Sequence, residues 1–132
     1  IIPESPADAR EQALRRLEKA RTHKRAPSLK INKDIDALTA RLAAELPVNF
    51  DQQDLQNTSN QIEAGLKDIA ARSGLRPKSI QIAAQTALRG ADIQWPDAAT
   101  LPQTTTLSLA ISQRPDPQGR PTLIALIVLI HE

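Results

Sequence analysis

Apolar residues recur along this chain at helical spacing in some stretches and at strand spacing in others. The clearest helix is predicted in KDIDALTARLAAEL, where apolar residues three or four positions apart share one face: Ile35, Leu38, Leu42 and Leu46. Asn32 or Asp34 can cap its first N–H groups, and Pro47 ends it because proline cannot continue the hydrogen-bond ladder.

Two alternating stretches flank this helix. SLKIN places Leu29 and Ile31 on one side, and VNFD does the same with Val48 and Phe50. A strand, a helix and a second strand in this order are typical of a parallel or mixed sheet. The sequence therefore predicts a β-α-β unit over residues 28–51.

The C-terminal stretches alternate differently. In TTTLSLAIS, Leu107, Leu109 and Ile111 alternate with small polar residues, which predicts a strand with one wet face. In PTLIALIVLI, residues 123–130 are apolar on both faces, so we expect a central strand or one covered by a partner. QRPDPQGR between them is rich in turn residues, so the two strands should form a hairpin.

The segment IEAGLKDIAARSGLRPKSIQIA, residues 62–83, is ambiguous. Its first part predicts a helix that Gly74 stops in the left-handed conformation. Residues 76–89 suit a further short helix closed by Gly90, and a strand at SIQI is the competing prediction.

Together the patterns predict an α+β fold: a small mixed sheet with a β-α-β unit and a C-terminal hairpin, two to three helices packed on it, and a basic N-terminal helix. The strands are expected near 28–32, 47–51, 105–112 and 122–130. We divide the chain into a basic N-terminal helix and linker, residues 1–26, and a single α+β domain, residues 27–132, a size that suits one compact core.

Composition and charge restrict the classes of function that the chain can have. Without Cys the chain has no disulfide, thiolate metal site or cysteine nucleophile, and with one Phe and one Trp it has little to stack on bases or sugars. The longest apolar run has eight residues, whereas a membrane helix needs roughly 20. Because the chain starts with Ile rather than Met, we expect it to be a piece of a longer product.

The chain has a net charge of +2, and most of its positive excess lies in RRLEKARTHKRAPSLK, residues 15–30. We expect a solvated helix face and linker there, with a phosphate-binding patch as the alternative. His23 and His131 lie at opposite ends of the chain, each without a nearby acid or second ligand at metal spacing, and no phosphate-binding glycine motif or activated Ser is present. We therefore expect no enzyme, no metal site and no cofactor.

One hypothesis for function rests on DIAARSGLRPKSIQIA. Its small, turn and branched residues follow helix-turn-helix spacing: Ala70, Gly74, Leu75 and Ile80. These 16 residues resemble the motif of lac-repressor-type regulators. The resemblance implies a cytoplasmic DNA-binding regulator or plasmid-maintenance protein. The residues offered to phosphates and base edges are then Arg76, Lys78, Ser79, Gln81 and Gln85.

The leading hypothesis covers about residues 28–82. This stretch resembles the short N-terminal domain of secretins and TonB-dependent signalling receptors at Leu38, Leu42, Val48, Asp51, Leu66, Ser73, Gly74 and Leu75. The resemblance implies a non-catalytic interaction or assembly module of a bacterial envelope machine of secretion or pilus type. Such modules lie in the periplasm or cell envelope and act by protein contact, often by adding a strand at a sheet edge.

Its partner is expected to be another protein or a second copy of the chain. The candidate contact residues are Trp95, Leu123, Leu126 and Val128. Trp is enriched at binding hot spots, and the alternative is that Trp95 fills the end of the core.

Overall fold

A computed structural model describes residues 4–132. Within this range the chain forms three α-helices, then a three-stranded sheet with two single-turn 3₁₀ helices between its strands. The α-helices are α1 (Pro6–His23), α2 (Lys33–Glu45) and α3 (Gln52–Ser73). The strands are β1 (Ser79–Ala87), β2 (Thr104–Pro115) and β3 (Pro121–His131), and the 3₁₀ helices are Gly90–Asp92 and Asp97–Thr100. The predicted α+β class is confirmed.

The sheet is antiparallel, with strand order β1-β3-β2. β3 is the middle strand and is buried on both faces from Thr122 to Ile130. This confirms that residues 123–130 form a central strand, and the predicted hairpin is the β2–β3 pair. Gly119 lies in its turn at φ 80°, a left-handed conformation that suits glycine.

Helices cover both faces of the sheet. One face of β3 packs with α2 and α3 through Ile124, Leu126, Val128 and Ile130. The other face packs with α1 and the 3₁₀ segments through Ala125, Ile127 and Leu129. The α1 residues Ala13 and Leu17 are part of this second cluster, so the N-terminal helix packs directly on the sheet.

Two helix boundaries follow the predicted capping, the start of α2 and the end of α3, whereas the start of α3 was not predicted. The Asn32 side chain accepts from the N–H groups of Asp34 and Ile35 and starts α2. Asp51 and Asp54 form a capping box at the start of α3. Gly74, at φ 75°, ends α3 as predicted.

The predicted β-α-β unit is wrong. Of residues 28–32, Lys30 alone pairs, through an isolated parallel bridge to Thr106. Residues 47–51 form a turn rather than a strand, because Asp51 uses its side chain and backbone to cap α3. The sheet is therefore antiparallel rather than mixed.

Residues 76–89 contain strand β1 rather than a helix. β1 pairs along its whole length with β3, from Ser79 with His131 to Ala87 with Leu123. A helix-turn-helix needs its second helix in this segment, so that motif is not formed. The physical reason is β3: because this strand is buried, its backbone N–H and C=O groups on the β1 side would lack hydrogen-bond partners unless a strand paired with them.

Two arginines of α1 donate hydrogen bonds to the segments that connect the strands. Arg21 is buried, and its guanidinium donates at 2.7 to 3.3 Å to the carbonyls of Pro27, Ala99, Leu101 and Thr104. Burial lowers the pKa of Arg21. Arg16 donates to the carbonyl of Ala91 at 2.7 Å. Arg21 is therefore a buried residue that stabilises the fold through hydrogen bonds, whereas the sequence predicted it on a solvated helix face.

Candidate interaction surface

The sheet has two edge strands, β1 and β2, and hydrogen bonds to β2 reveal which backbone groups each strand turns outward. The N–H of Lys30 donates to the carbonyl of Thr105 at 2.8 Å, and the N–H of Leu107 donates to the carbonyl of Lys30 at 3.1 Å. From Thr106 to Pro115, beyond the register shift between Thr104 and Thr106, odd-numbered residues of β2 therefore turn their backbone groups away from β3, and even-numbered residues turn them toward it.

The same alternation can be followed across the sheet. Ser108 lies opposite Val128, so the even residues of β3 bond to β2 and its odd residues bond to β1. Since Ala83 lies opposite Ile127, the odd residues of β1 bond to β3. The backbone N–H and C=O groups that β1 turns outward belong to Ile80, Ile82, Ala84 and Thr86. We call this row the β1 edge.

The β1 edge is open. Within residues 4–132, no hydrogen bond reaches its outward backbone groups. The strand, SIQIAAQTA, has nine residues and contains no charge, no proline and no glycine. Edge strands usually carry such features because an unpaired row of backbone groups recruits other chains.

The β2 edge is covered by comparison. Lys30 pairs with its beginning, and Arg10 of α1 donates to the carbonyl of Leu109 at 2.9 Å. Further along, the Gln113 side chain donates to the carbonyl of Glu4 at 3.2 Å. Pro115 ends the strand. A partner strand therefore meets obstacles at several points along β2.

Positively charged residues lie at both ends of the β1 edge. Arg76 and Lys78 precede the strand, Arg89 follows it, and all three are exposed. In the described part of the chain, ion pairs form between Glu11 and Arg15 and between Asp116 and Arg120, and neither pair involves these three cations. Both ends of the β1 edge are therefore positive.

The two faces of β1 differ. Ile80 and Ile82 are partly buried against the cluster formed with α2 and α3. On the opposite face, Gln81 is exposed, and the Gln85 side chain bonds to the N–H and C=O of Gln94 at 2.7 Å each. A strand added beside β1 would meet an apolar surface on one face and a polar surface on the other.

The apolar residues predicted to contact a partner lie in the core. Leu123, Leu126 and Val128 are at most 1% exposed, because β3 is the middle strand with a helical layer on each face. They form no exposed contact surface in this fold, which corrects that prediction. Trp95 is partly buried, packs with the α1 cluster and donates from Nε1 to the carbonyl of Ala13 at 3.0 Å.

The residues predicted to read DNA lie along β1 and its approach rather than on a helix. Ser79, Gln81 and Gln85 share one face of the strand, and Arg76 and Lys78 precede it. Sequence patterns pointed to these polar side chains but not to the outward backbone groups beside them. The signal available in the sequence was the uncharged run SIQIAAQTA between cations.

A cluster of buried polar side chains forms hydrogen bonds between α2 and β2. Ser108 Oγ donates to Asp36 Oδ1 at 2.7 Å and lies 2.9 Å from Thr39 Oγ1, which itself donates to the carbonyl of Ile35. Every hydroxyl in it has a partner within the fold. The arrangement accounts for these buried polar groups as structural bonds.

No protein-family model, curated protein or solved structure matches this chain. Within residues 4–132, no helix combines the length and apolar character needed to span a membrane. No group of three or more His, Cys, Asp or Glu side chains in that range could hold a metal ion.

Proposed function

We propose that this chain is a non-catalytic protein–protein interaction module that binds its partner by adding a strand to the β1 edge. The observation that carries the proposal is the difference between the sheet's edges: β2 is covered, whereas β1 leaves four residues with outward, unbonded backbone groups. An added strand would satisfy these groups through main-chain hydrogen bonds. As the setting we propose an assembly of the bacterial envelope, such as a secretion or pilus-type machine.

A matched pair of variants tests the binding mode. Ala84→Pro removes an outward N–H from the middle of the β1 edge without removing a bond to β3, and Ala84→Ser keeps that N–H. A partner captured by the wild-type chain should bind Ala84→Ser normally and lose binding to Ala84→Pro. Equal binding to both variants would overturn the proposal.

Hydrogen exchange on the resulting complex locates the contact. In the free chain, the amides of Ile80, Ile82, Ala84 and Thr86 should exchange quickly, because they face outward without partners. Addition of the partner should slow these four amides. Protection confined to another surface would show that the partner binds elsewhere.

A titration with duplex DNA at about 50 and 200 mM salt separates this function from polyanion binding. Because β1 occupies the place of the recognition helix, we expect no tight binding at either salt concentration. Binding that collapses with salt and is lost in Arg76→Ala/Lys78→Ala would favour a nucleic-acid partner instead.

A further inference from the structure

We infer that the segment added to the β1 edge comes from a different protein and has an uncharged centre of about seven residues with acidic residues at both ends. This inference rests on the proposed function, since it specifies the partner that the β1 edge accepts. Its basis is the charge around the edge together with the chemistry of the two faces of β1.

The chain around β1 is positively charged. Between Ser73 and Ala91 the charged residues are Arg76, Lys78 and Arg89, so this stretch carries +3 and no acid. Asp92 follows this stretch directly, and Glu132 follows His131, whose carbonyl accepts from the N–H of Lys78; neither acid forms an ion pair with the three cations within the described residues. An added strand therefore meets unpaired positive charge at each of its ends. Acidic residues there are favoured by opposite charge.

The same charges disfavour a second copy of this chain. Antiparallel pairing of two β1 edges through their outward groups would set Ile82 of one copy opposite Ala84 of the other. Arg76 and Lys78 of one copy would then lie beside Arg89 of the other, at both ends of the pair. Like charges directly across a sheet are destabilising. A heterologous segment avoids this repulsion.

The faces of β1 specify the centre of the partner. Residues paired with Ile80 and Ile82 extend the apolar surface toward α2 and α3, so they should be apolar. Residues between them lie on the face of Gln81 and should be polar or small. The outward groups run from residue 80 to residue 86, so a segment of seven residues, about 23 Å long at 3.3 Å per residue, satisfies them all.

A selection from a library of random 11-residue peptides tests the inference on the purified chain. Peptides enriched by the wild-type chain should alternate apolar and polar residues in the middle and carry Asp or Glu near both ends. The selection is repeated with Arg76→Glu/Lys78→Glu/Arg89→Glu, which reverses the charge around the β1 edge. Its control is Lys19→Glu/Lys33→Glu/Lys67→Glu, which changes the net charge equally at three exposed helix positions.

The expected result is that acid-flanked peptides bind the edge-reversed chain about tenfold more weakly, from three unfavourable pairs of ordinary strength. Binding to the helix-reversed control should be nearly unchanged, and the edge-reversed chain should select Lys or Arg at the peptide ends. Ala84→Pro should remove binding of the peptides, and Thr86→Pro serves if Ala84→Pro does not fold.

Three results would overturn the inference, and they separate it from the proposed function. Peptides that lose binding in Ala84→Pro but carry no acidic preference would leave strand addition standing and refute the charged ends. A selection that yields no peptide sensitive to Ala84→Pro would refute both the inferred segment and the proposed function. A selection whose preferred peptides have the sequence pattern of β1 itself would refute the inferred segment alone.

Discussion

The two edge strands of the sheet differ in how far other parts of the chain cover their backbone groups. The β2 edge is met by the Lys30 backbone and by side-chain bonds involving Arg10 and Gln113. The β1 edge has no such cover within residues 4–132, although β1 is nine residues long and uncharged. In this range the fold therefore covers one edge of its sheet and leaves the other open to pairing.

This comparison also separates the two roles of α1. Its buried Ala and Leu residues fill one face of the sheet, while Arg10 and Arg21 reach the carbonyls of β2 and of the segments leading to it. Among the described residues, no α1 side chain makes a corresponding hydrogen bond to β1. Helix α1 therefore stabilises one edge and leaves the other unbonded.

The largest expected effect comes from proline at adjacent positions of β1. Ala83→Pro removes an N–H that bonds to β3 and should lower the free energy of unfolding by roughly 3 kcal/mol. Ala84→Pro removes an outward N–H and should cost less than about 1 kcal/mol. Urea denaturation of both variants measures the difference, and equal losses would contradict the assigned alternation.

Next in size is Arg21→Met, which leaves the carbonyls that Arg21 holds without their donor. Because these carbonyls lie in a partly buried site beside the start of β2, we expect a loss of about 2 to 3 kcal/mol. Arg21→Lys is the control, since it keeps the charge but supplies fewer donors. A thermal midpoint unchanged in Arg21→Met would show that the segments before β2 are held by packing alone.

A smaller effect is expected when the β2 edge is opened. Lys30→Pro removes the N–H that donates to Thr105 and should cost about 1 kcal/mol. It should also promote self-association, because it exposes part of a second edge. Analytical ultracentrifugation measures this, with Lys30→Ala as the control that keeps the backbone donor. A strictly monomeric Lys30→Pro chain would argue that the side chains beside β2 suffice to protect it.

The hairpin turn between β2 and β3 offers a pH-dependent test away from both edges. Backbone N–H groups, chiefly that of Arg120, hold the pKa of Asp116 below its usual value. Its ionised form therefore adds stability above the unfolded-state pKa, and this is lost as the pH falls through the folded-state pKa. Asp116→Asn should lower the thermal midpoint slightly at pH 7 and show a smaller difference from the wild type in acid.

The smallest effect on folding is expected from Thr86→Lys. Thr86 is exposed at the end of β1, so the free energy of unfolding should change by less than about 0.5 kcal/mol. A charge on an edge strand discourages pairing, so peptide binding should weaken while stability holds. Thr86→Ser is the matched control. Unchanged binding in Thr86→Lys would mean that the added strand does not extend to this end of β1.

Much of the fold could be predicted because its signals are local. Asn32 and Pro47 define α2, Gly74 ends α3, and the apolar run of β3 between turn residues announces a buried strand. The β-α-β unit failed for the opposite reason. SLKIN alternates correctly, yet one of its residues pairs, since a strand needs a partner that its own sequence cannot supply.

The candidate site was predicted less well than the fold. Sequence patterns drew attention to Arg76, Lys78 and their polar neighbours but assigned them to a helix, because SIQIAA suits either structure over so short a range. The apolar residues Leu123, Leu126 and Val128 attracted attention as contact candidates, whereas they are the core. Burial of a whole strand depends on what packs over it, which periodicity does not state.

The sequence by itself determined α2 with its N-cap, the end of α3 and the C-terminal hairpin with its apolar second strand, because each is encoded in the residue pattern of a short stretch of chain. The tertiary structure decided that β1 is a strand, that it stands at an edge, and that Ile80, Ile82, Ala84 and Thr86 turn their backbone groups outward. These properties arise from pairing between residues far apart in the chain, from Ser79 with His131 to Ala87 with Leu123, and local pattern carries no information about which side of such a pair remains open.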